Sequence, residues 1–166
     1  MGQNQCLRQI IYLFELLCFS ETLRVDSIRQ HEIKNVKNII AISSGKGGVG
    51  KSTVAANLAC SLSATGAKTG LFDADVFGPS LPTLFGFDRP EVLKTPKGLL
   101  TAPTYNGISC MSFDFVSPPA SEQPAGAAIR GPMVSRIVQQ LIGTTEWGAL
   151  DYLVVDMPPG TGDIVL

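Results

Sequence analysis

The sequence has few of the residues that build metal centres or disulfide frameworks. Its 166 residues contain four cysteines with no CxxC pair, and a single histidine, His31, in a polar stretch. Because such centres need several of these residues at close spacing, we expect free thiols and a solvated histidine. Cys60 lies in an apolar helical pattern and Cys110 in a strand pattern, which is typical of core cysteines, whereas Cys6 and Cys18 lie near the N-terminus.

Charge of one sign and long apolar runs are also lacking. Thirteen Lys and Arg residues face fourteen Asp and Glu residues, for a net charge of -1. No summed positive field therefore draws the protein to nucleic acid or to anionic lipid, and any recognition of phosphate has to be local. The apolar run at residues 10–19 is too short for a bilayer, which needs about 20 apolar residues, so no membrane span is predicted.

The first 34 residues are interpreted as an amphipathic leader of unknown role. They lack a small-residue cleavage site, and a mitochondrial presequence avoids acids such as Glu15, Glu21 and Asp26. The whole chain is 45% hydrophobic, and residues 35–166 are interpreted as its globular part.

A βαβ unit is predicted at the start of the globular part. The β-branched and apolar run at residues 38–43 is typical of a strand buried on both faces of a parallel sheet. Apolar residues then recur at helical spacing over residues 52–65, and Gly66 ends that helix. A second short strand follows at residues 69–72 and ends in Asp73. The crossover between the two strands is expected to be right-handed.

The middle of the chain is predicted to be irregular. Five prolines in residues 78–107 exclude long helices and strands there, and a strand is predicted to return at residues 108–113. Residues 117–126 are rich in Pro, Ala and Ser and are interpreted as a mobile surface loop.

The last third of the chain repeats the helix-and-strand alternation. An amphipathic helix is predicted from Pro132 to a stop at Gly143, and a buried strand at residues 152–155 ends in Asp156. Alternation of this kind predicts an α/β fold with a largely parallel sheet.

A phosphate-binding loop lies between the first strand and the first helix. Residues 45–52 read Gly-Lys-Gly-Gly-Val-Gly-Lys-Ser and match GxxxxGK[ST] at each fixed position. Glycines let backbone N–H groups converge on phosphate oxygens, Lys51 reaches the outer phosphates and Ser52 can bind Mg²⁺. The alternative, a glycine turn with an incidental Lys-Ser pair, is disfavoured by the four glycines and the flanking pattern. The predicted nucleotide-binding residues are Gly45, Lys46, Gly47, Gly48, Val49, Gly50, Lys51 and Ser52.

Three aspartates follow predicted strands. Asp73 and Asp75 lie at the end of the second strand and Asp156 at the end of the last one, where open α/β sheets place their ligands. Carboxylates at that edge can hold Mg²⁺ or orient an attacking water, and Asp156 fits a Walker B carboxylate. An Asx turn leading to Gly78 is the alternative for Asp73 or Asp75.

Lys46 and three longer motifs resemble one group of P-loop proteins. A lysine at the second motif position is similar to the deviant Walker A signature of MinD, ParA, the nitrogenase iron protein and the Mrp proteins. Asp-Met-Pro-Pro-Gly-Thr-Gly-Asp at residues 156–163, the segment 72–82 and Arg-Gly-Pro-Met at 130–133 resemble the Mrp/ApbC-type iron-sulfur cluster carriers. The resemblance covers about residues 34–166 and implies a P-loop NTPase fold of three layers, αβα.

The resemblance also implies roles and partners. ATP and Mg²⁺ are the implied cofactors, with Ser52, Asp73 and Asp156 on the metal side of the site. Lys46 would reach across a homodimer to the partner's nucleotide, against the alternative of a solvated lysine. Asp75 would position the attacking water, so Lys46, Lys51 and Asp75 are the candidate catalytic residues. The implied function is an ATP-hydrolysing carrier that delivers clusters to iron-sulfur apoproteins.

The family also has a cluster-binding cysteine pair that the present sequence lacks. Domains of this family continue to a CxxC pair whose two copies bridge a [4Fe-4S] cluster, and the present sequence has no such pair. We therefore expect the catalytic core only, truncated at the C-terminus, with no iron-sulfur ligands in this chain. A MinD- or ParA-like positioning ATPase and a non-catalytic truncated fragment are the alternatives. Residues 105–112 resemble the mitochondrial branch of the family, so the mitochondrial matrix is favoured over the cytoplasm.

Overall fold

A computed structural model describes residues 33, 35–88, 90–117 and 131–160, within the compact unit Glu32–Leu166. Several predictions from the sequence lie outside the described residues. These are the leader up to residue 32, His31, Cys6, Cys18, nearly all of the loop 117–126, Arg130 and residues 161–163.

In the described residues the main sheet has five strands: β1 Val36–Ile42, β2 Thr69–Asp73, β4 Thr104–Tyr105, β5 Ile108–Ser112 and β7 Leu150–Asp156. Their order across the sheet is β1-β7-β2-β5-β4. All neighbours pair in parallel except β4, which is antiparallel to β5. A separate parallel pair joins β3 Leu100–Thr101 to β6 Thr145–Glu146. The predicted α/β fold with a largely parallel sheet is confirmed.

The two long helices in the described part of the chain lie on opposite faces of the sheet. The helix α1, Lys51–Ala64, buries Ala55, Ala56, Ala59 and Leu62. The helix α3, Gly131–Thr144, packs Val134, Val138, Leu141 and Ile142 into a core with Phe72, Leu153 and Val155. Because side chains alternate along a strand, Leu153 and Val155 face α3 while Asp156 faces the α1 side. The result is the predicted three-layer αβα arrangement.

The proline-rich segment is irregular, as predicted, but contains a short helix. This helix, α2, spans Leu81–Phe85 and ends at Gly86, which takes a left-handed conformation with φ of 65°. A 3-10 turn at Phe113–Phe115 follows β5. The ring of Phe85 stacks on Tyr105 with centroids 4.4 Å apart, so α2 is fastened to the β4 edge of the sheet.

One prediction about these elements was wrong. The first strand is not buried on both faces: Ile39 is 52% exposed, because β1 is an edge strand that pairs only with β7 among the described strands. The last helix, predicted from Pro132 to Gly143, spans Gly131–Thr144 and agrees with the prediction to within one residue at each end.

Candidate functional site

At two positions of the glycine-rich loop between β1 and α1, the backbone has a conformation that only glycine adopts without strain. Gly48 and Gly50 have φ values of 75° and 88°, in the left-handed region. Gly50 is also the residue that immediately precedes α1, which begins without a side-chain cap. The loop is therefore shaped by backbone geometry.

The backbone donors of this loop are available to a ligand. In the described part of the chain, no N–H group from Gly47 to Lys51 donates a hydrogen bond to a protein acceptor. Two other hydrogen bonds hold the start of the loop. Gly160 donates its N–H to the carbonyl of Ser44 at 3.0 Å, and the Ser44 hydroxyl donates to the carbonyl of Lys46 at 2.9 Å. Free N–H groups at a helix N-terminus form a binding place for an anion such as phosphate.

Lys51, the second lysine of the glycine-rich loop, contacts the carboxylate at the end of β7. Lys51 Nζ forms an ion pair with Asp156 Oδ1, and it lies 3.5 Å from Ser52 Oγ. The side chains of Lys51 and Asp156 are 8% and 3% exposed. Three of the predicted site residues, Lys51, Ser52 and Asp156, are therefore brought together.

Asp73 lies beside Asp156 on the neighbouring strand. The two residues are register partners at the ends of β2 and β7, and Asp73 is 2% exposed. Burial raises the pKa of Asp73 to about 6, and the nearby charge of Asp156 adds to the rise. Hydrogen bonds from the backbone N–H groups of Asp75, Ser80 and Leu81 oppose it.

Asp75 hydrogen-bonds to its own loop. It is half-buried, and its Oδ1 accepts from the N–H groups of Phe77 at 3.2 Å and Gly78 at 3.1 Å. The Asx-turn alternative therefore describes the local geometry of Asp75, and also that of Asp73, whose Oδ1 accepts the N–H of Asp75. Among the described residues, no contact joins its carboxylate to Lys51 or Asp156.

Lys46 is exposed at the outer side of the loop, together with Val49, whose exposed fraction is 59%. Within the described residues, the Lys46 ammonium makes no ion pair. It is thus a cation presented to the outside of the site.

Ser80, Leu81 and Ser112 belong to the site and were missed from the sequence. Ser80 and Leu81 line a hollow with Ser52, Asp73 and Asp156. Ser112 ends β5 as the register partner of Asp73, and its fully buried hydroxyl has no partner in the described part of the chain. A polar residue at the end of a buried strand pattern was the signal for Ser112, whereas nothing in the sequence links Ser80 to Asp73.

The two cysteines in the described residues do not form a metal site. Cys110 is buried, and burial raises the pKa of its thiol to about 12; Cys60 is half-buried on α1. Across residues 33–160, as far as they are described, no group of three His, Cys, Asp or Glu side chains could hold a metal ion. The helices described there include none that is long and apolar enough to cross a membrane.

Comparison with known proteins identifies the fold and the family. The chloroplastic Fe-S cluster assembly factor HCF101 of Oryza sativa is 53% identical over 135 residues, which are 81% of this chain and 24% of that protein. The iron-sulfur cluster carrier protein of Synechocystis is 48% identical over 156 residues, 92% of this chain and 43% of the carrier. A solved nucleotide-binding protein of Archaeoglobus fulgidus, in complex with ADP, has a TM-score of 0.65 and 37% identity, covering 80% of this chain and 49% of its own.

The chain thus spans from about a quarter to about half the length of the relatives it matches. Its residues 35–166 match the family described as "ParA: NUBPL iron-transfer P-loop NTPase". Those residues contain the glycine-rich loop and the strand-end carboxylates described above. The motifs that resemble the iron-sulfur cluster carriers lie in the same segment, and that resemblance is confirmed. This chain belongs to the NUBPL iron-transfer family of P-loop NTPases.

Proposed function

We propose that this chain binds ATP with Mg²⁺ at the glycine-rich loop and contributes the catalytic core of an ATP-hydrolysing iron-sulfur cluster carrier. The observation that carries the proposal is the contact between Lys51 and Asp156 beside a loop of free N–H donors. A cation for phosphates, a carboxylate for a metal and a cradle of amides are the parts that a P-loop site needs.

The residues present fit a magnesium nucleotide. The amides of residues 45–51 would hold the phosphates, and Lys51 would exchange Asp156 for the outer phosphate oxygens. Ser52 and Asp156 would hold Mg²⁺, because hydroxyl and carboxylate oxygens are the ligands that this ion prefers. Asp73 lies in the same row but gives three of its acceptor positions to backbone donors, so its contacts favour an indirect role.

Hydrolysis is proposed to use two further residues. Asp75 would orient the attacking water, and Lys46 would act on the nucleotide of a second copy, so that two copies enclose two nucleotides. The exposure of Lys46 supports the second role, since a side chain that acts across an interface has to be presented outward. A cation placed on the transferring phosphoryl group stabilises mainly the transition state.

The cluster is the cargo, and its recipients would be iron-sulfur apoproteins. The names of the relatives, a cluster assembly factor and a cluster carrier, support this part of the proposal over a positioning ATPase. The described cysteines do not fit a cluster, since Cys110 is buried and Cys60 is half-buried on a different element. Cluster transfer is therefore proposed for the longer protein that the relatives represent. We propose the mitochondrial matrix as its compartment, because residues 105–112 resemble the mitochondrial branch of the family.

Binding of a fluorescent ATP analogue tests the nucleotide site. In the presence of Mg²⁺ we expect saturable binding by the 166-residue chain, and loss of binding in Lys51→Ala. Lys97→Ala is the matched control, because Lys97 is an exposed lysine in a turn outside the site. Far-UV circular dichroism establishes that each variant is folded. Equal affinity of a folded Lys51→Ala variant and the unchanged protein would refute the assignment of this loop.

A further inference from the structure

The carboxylate of Asp73 is occupied by backbone donors from the segment that follows it. Its Oδ1 accepts the N–H of Asp75 at 3.0 Å, and its Oδ2 accepts those of Ser80 at 2.8 Å and Leu81 at 3.0 Å. A carboxylate offers about four acceptor positions. Three of them are in use, and the residue is 2% exposed. Little of this group is left for a ligand.

These bonds tie both ends of one loop to a single side chain. The loop, residues 74–80, begins next to Asp73 and ends where α2 begins, and one carboxylate oxygen holds each end. Ala74 adds a third fastening by donating its N–H to the carbonyl of Asp156 at 2.9 Å. Charge-assisted bonds from backbone N–H groups to a carboxylate are among the stronger hydrogen bonds in proteins. The loop is therefore fixed against the carboxyl edge of the sheet.

The same fastening places Asp75 and α2. Asp75 lies one residue inside the loop and bonds to the amides of Phe77 and Gly78 within it. The other end of α2 is held by the stacking of Phe85 on Tyr105. Loss of the Asp73 bonds would leave the start of α2 held by the packing of the buried Leu81 alone, and Asp75 tied to Asp156 only through the backbone bond of Ala74.

We infer that Asp73 is a positioning residue, which fixes the loop 74–80 and thereby Asp75 and the start of α2, and which does not bind the cation directly. The inference rests on the proposed function only for what Asp75 does. The hydrogen-bonded arrangement itself can be tested without nucleotide. This separates failure of the inference from failure of the proposed function.

Amide hydrogen exchange, resolved by residue with NMR spectroscopy, tests the loop directly. In Asp73→Asn one oxygen is replaced by an amide group that cannot accept, so at least one loop end is released. We expect exchange at least about tenfold faster at Asp75, or at Ser80 and Leu81, with amides in β7 unchanged. Asp88→Asn is the matched control, since Asp88 is exposed and outside the loop. Unchanged exchange at all three amides of Asp73→Asn would overturn the inference.

Two further measurements distinguish positioning from a general loss of stability and from direct ligation. The ¹³C chemical shift of the Asp75 carboxyl carbon is expected to move in Asp73→Asn and to stay in Asp88→Asn. The enhancement of ATP-analogue binding by Mg²⁺ is expected to persist in Asp73→Asn and to disappear in Asp156→Asn. Equal loss of that enhancement in both variants would mean that Asp73 is a metal ligand, and the inference would fall.

The unchanged protein provides a measurement that needs no variant. Scalar couplings across the hydrogen bonds, from the amide nitrogens of Ser80 and Leu81 to the carboxyl carbon of Asp73, are expected to be observable. Their absence, with fast exchange at these amides, contradicts the inference even if Asp73→Asn does not fold. If the unchanged protein fails to bind the ATP analogue while the couplings are present, the proposed function is wrong and the positioning of the loop stands.

Discussion

Lys51 and Asp156 form an ion pair although they lie 105 residues apart in the sequence. The pair joins the first residue of α1 to the last residue of β7, and both side chains are almost fully buried. Each charge compensates the other, so the removal of one leaves its partner uncompensated in the protein interior. A change at either residue alone is therefore expected to destabilise the fold as well as to alter the proposed site.

A double-mutant cycle on this pair should show strong coupling. We expect Lys51→Ala and Asp156→Ala each to lower the free energy of unfolding by about 3–5 kcal/mol, and the double variant to lose less than the sum. Urea titrations without nucleotide measure all three. The exposed pair Lys37 and Asp151, whose side chains are 74% and 31% exposed, is the control, and its coupling should be too small to resolve. Additive losses at Lys51 and Asp156 would contradict a compensating pair.

Stability should depend on pH through Asp73. Its pKa is raised from 3.8 to about 6 in the folded protein, so the folded state binds a proton more tightly than the unfolded state. The protonated carboxyl stabilises the fold fully below about pH 4, and this contribution is lost as the pH rises to about 6. We expect the ionisation of Asp73 to lower the free energy of unfolding by about 2–3 kcal/mol across that range.

The difference in unfolding free energy between the unchanged protein and Asp73→Asn isolates this effect. Between pH 4 and pH 7 the unchanged protein should lose stability relative to Asp73→Asn. Above pH 7 the difference should no longer change. Using the difference cancels the other carboxylates, such as Asp151, whose pKa is lowered mainly by its hydrogen bond with Lys37. A difference that does not vary with pH would contradict the raised pKa of Asp73.

Gly70 in β2 should not accept a side chain. A Cβ atom at this position would lie 2.6 Å from Leu150 Cδ1, 3.0 Å from Leu153 Cδ1 and 3.3 Å from Trp147 Cε3. We expect Gly70→Ala to lower the free energy of unfolding by about 1–3 kcal/mol, because this face of the sheet is already filled. Gly143→Ala, in α3 with open space around the added atom, should be neutral or stabilising by up to about 1 kcal/mol. Equal effects of the two substitutions in thermal unfolding would refute this view of the packing.

Lys46→Ala should spare nucleotide binding and suppress hydrolysis. A cation contributed to the transferring phosphoryl group in related enzymes changes the rate about a thousandfold, or roughly 4 kcal/mol. Steady-state ATP hydrolysis is to be measured in a protein extended to the length of its relatives, with Lys97→Ala as control. A turnover in Lys46→Ala equal to that of the control would remove the proposed role.

The 166-residue chain should not retain an iron-sulfur cluster. A [4Fe-4S] cluster needs four deprotonated thiolates, and burial raises the pKa of the Cys110 thiol to about 12. Anaerobic reconstitution with iron and sulfide, followed by desalting and iron analysis, should leave background iron. Stoichiometric iron that is lost in Cys60→Ser or Cys110→Ser would show that these cysteines are ligands.

The sequence predicts local features of the site better than its assembly. The loop at residues 45–52 could be placed between a strand and a helix because its glycines and flanking apolar patterns are local signals. The aspartates could likewise be placed at strand ends. That Asp73 and Asp156 are neighbours depends on β7 pairing between β1 and β2, which is a long-range arrangement that no local pattern encodes.

The same distinction explains what was missed. The exposure of β1 follows from its position at the sheet edge, and an apolar run alone does not distinguish an edge strand from a central one. The bonds from Ser80 and Leu81 to Asp73 depend on the path of a proline-containing loop, which the sequence predicts only as irregular. The roles proposed for Lys46, Asp75 and the other site residues remain predictions.

The single tryptophan of the chain makes the protein its own optical probe. Trp147 is buried, donates its indole N–H to the carbonyl of Ile142 at 2.9 Å and meets the ring of Phe72 edge-on. Phe72 and Asp73 are adjacent in β2 and point to opposite faces of the sheet, so the indole lies on the face away from the glycine-rich loop. A change in tryptophan emission on addition of ATP would therefore report a displacement transmitted through the sheet, since no bound nucleotide at the loop would touch the fluorophore.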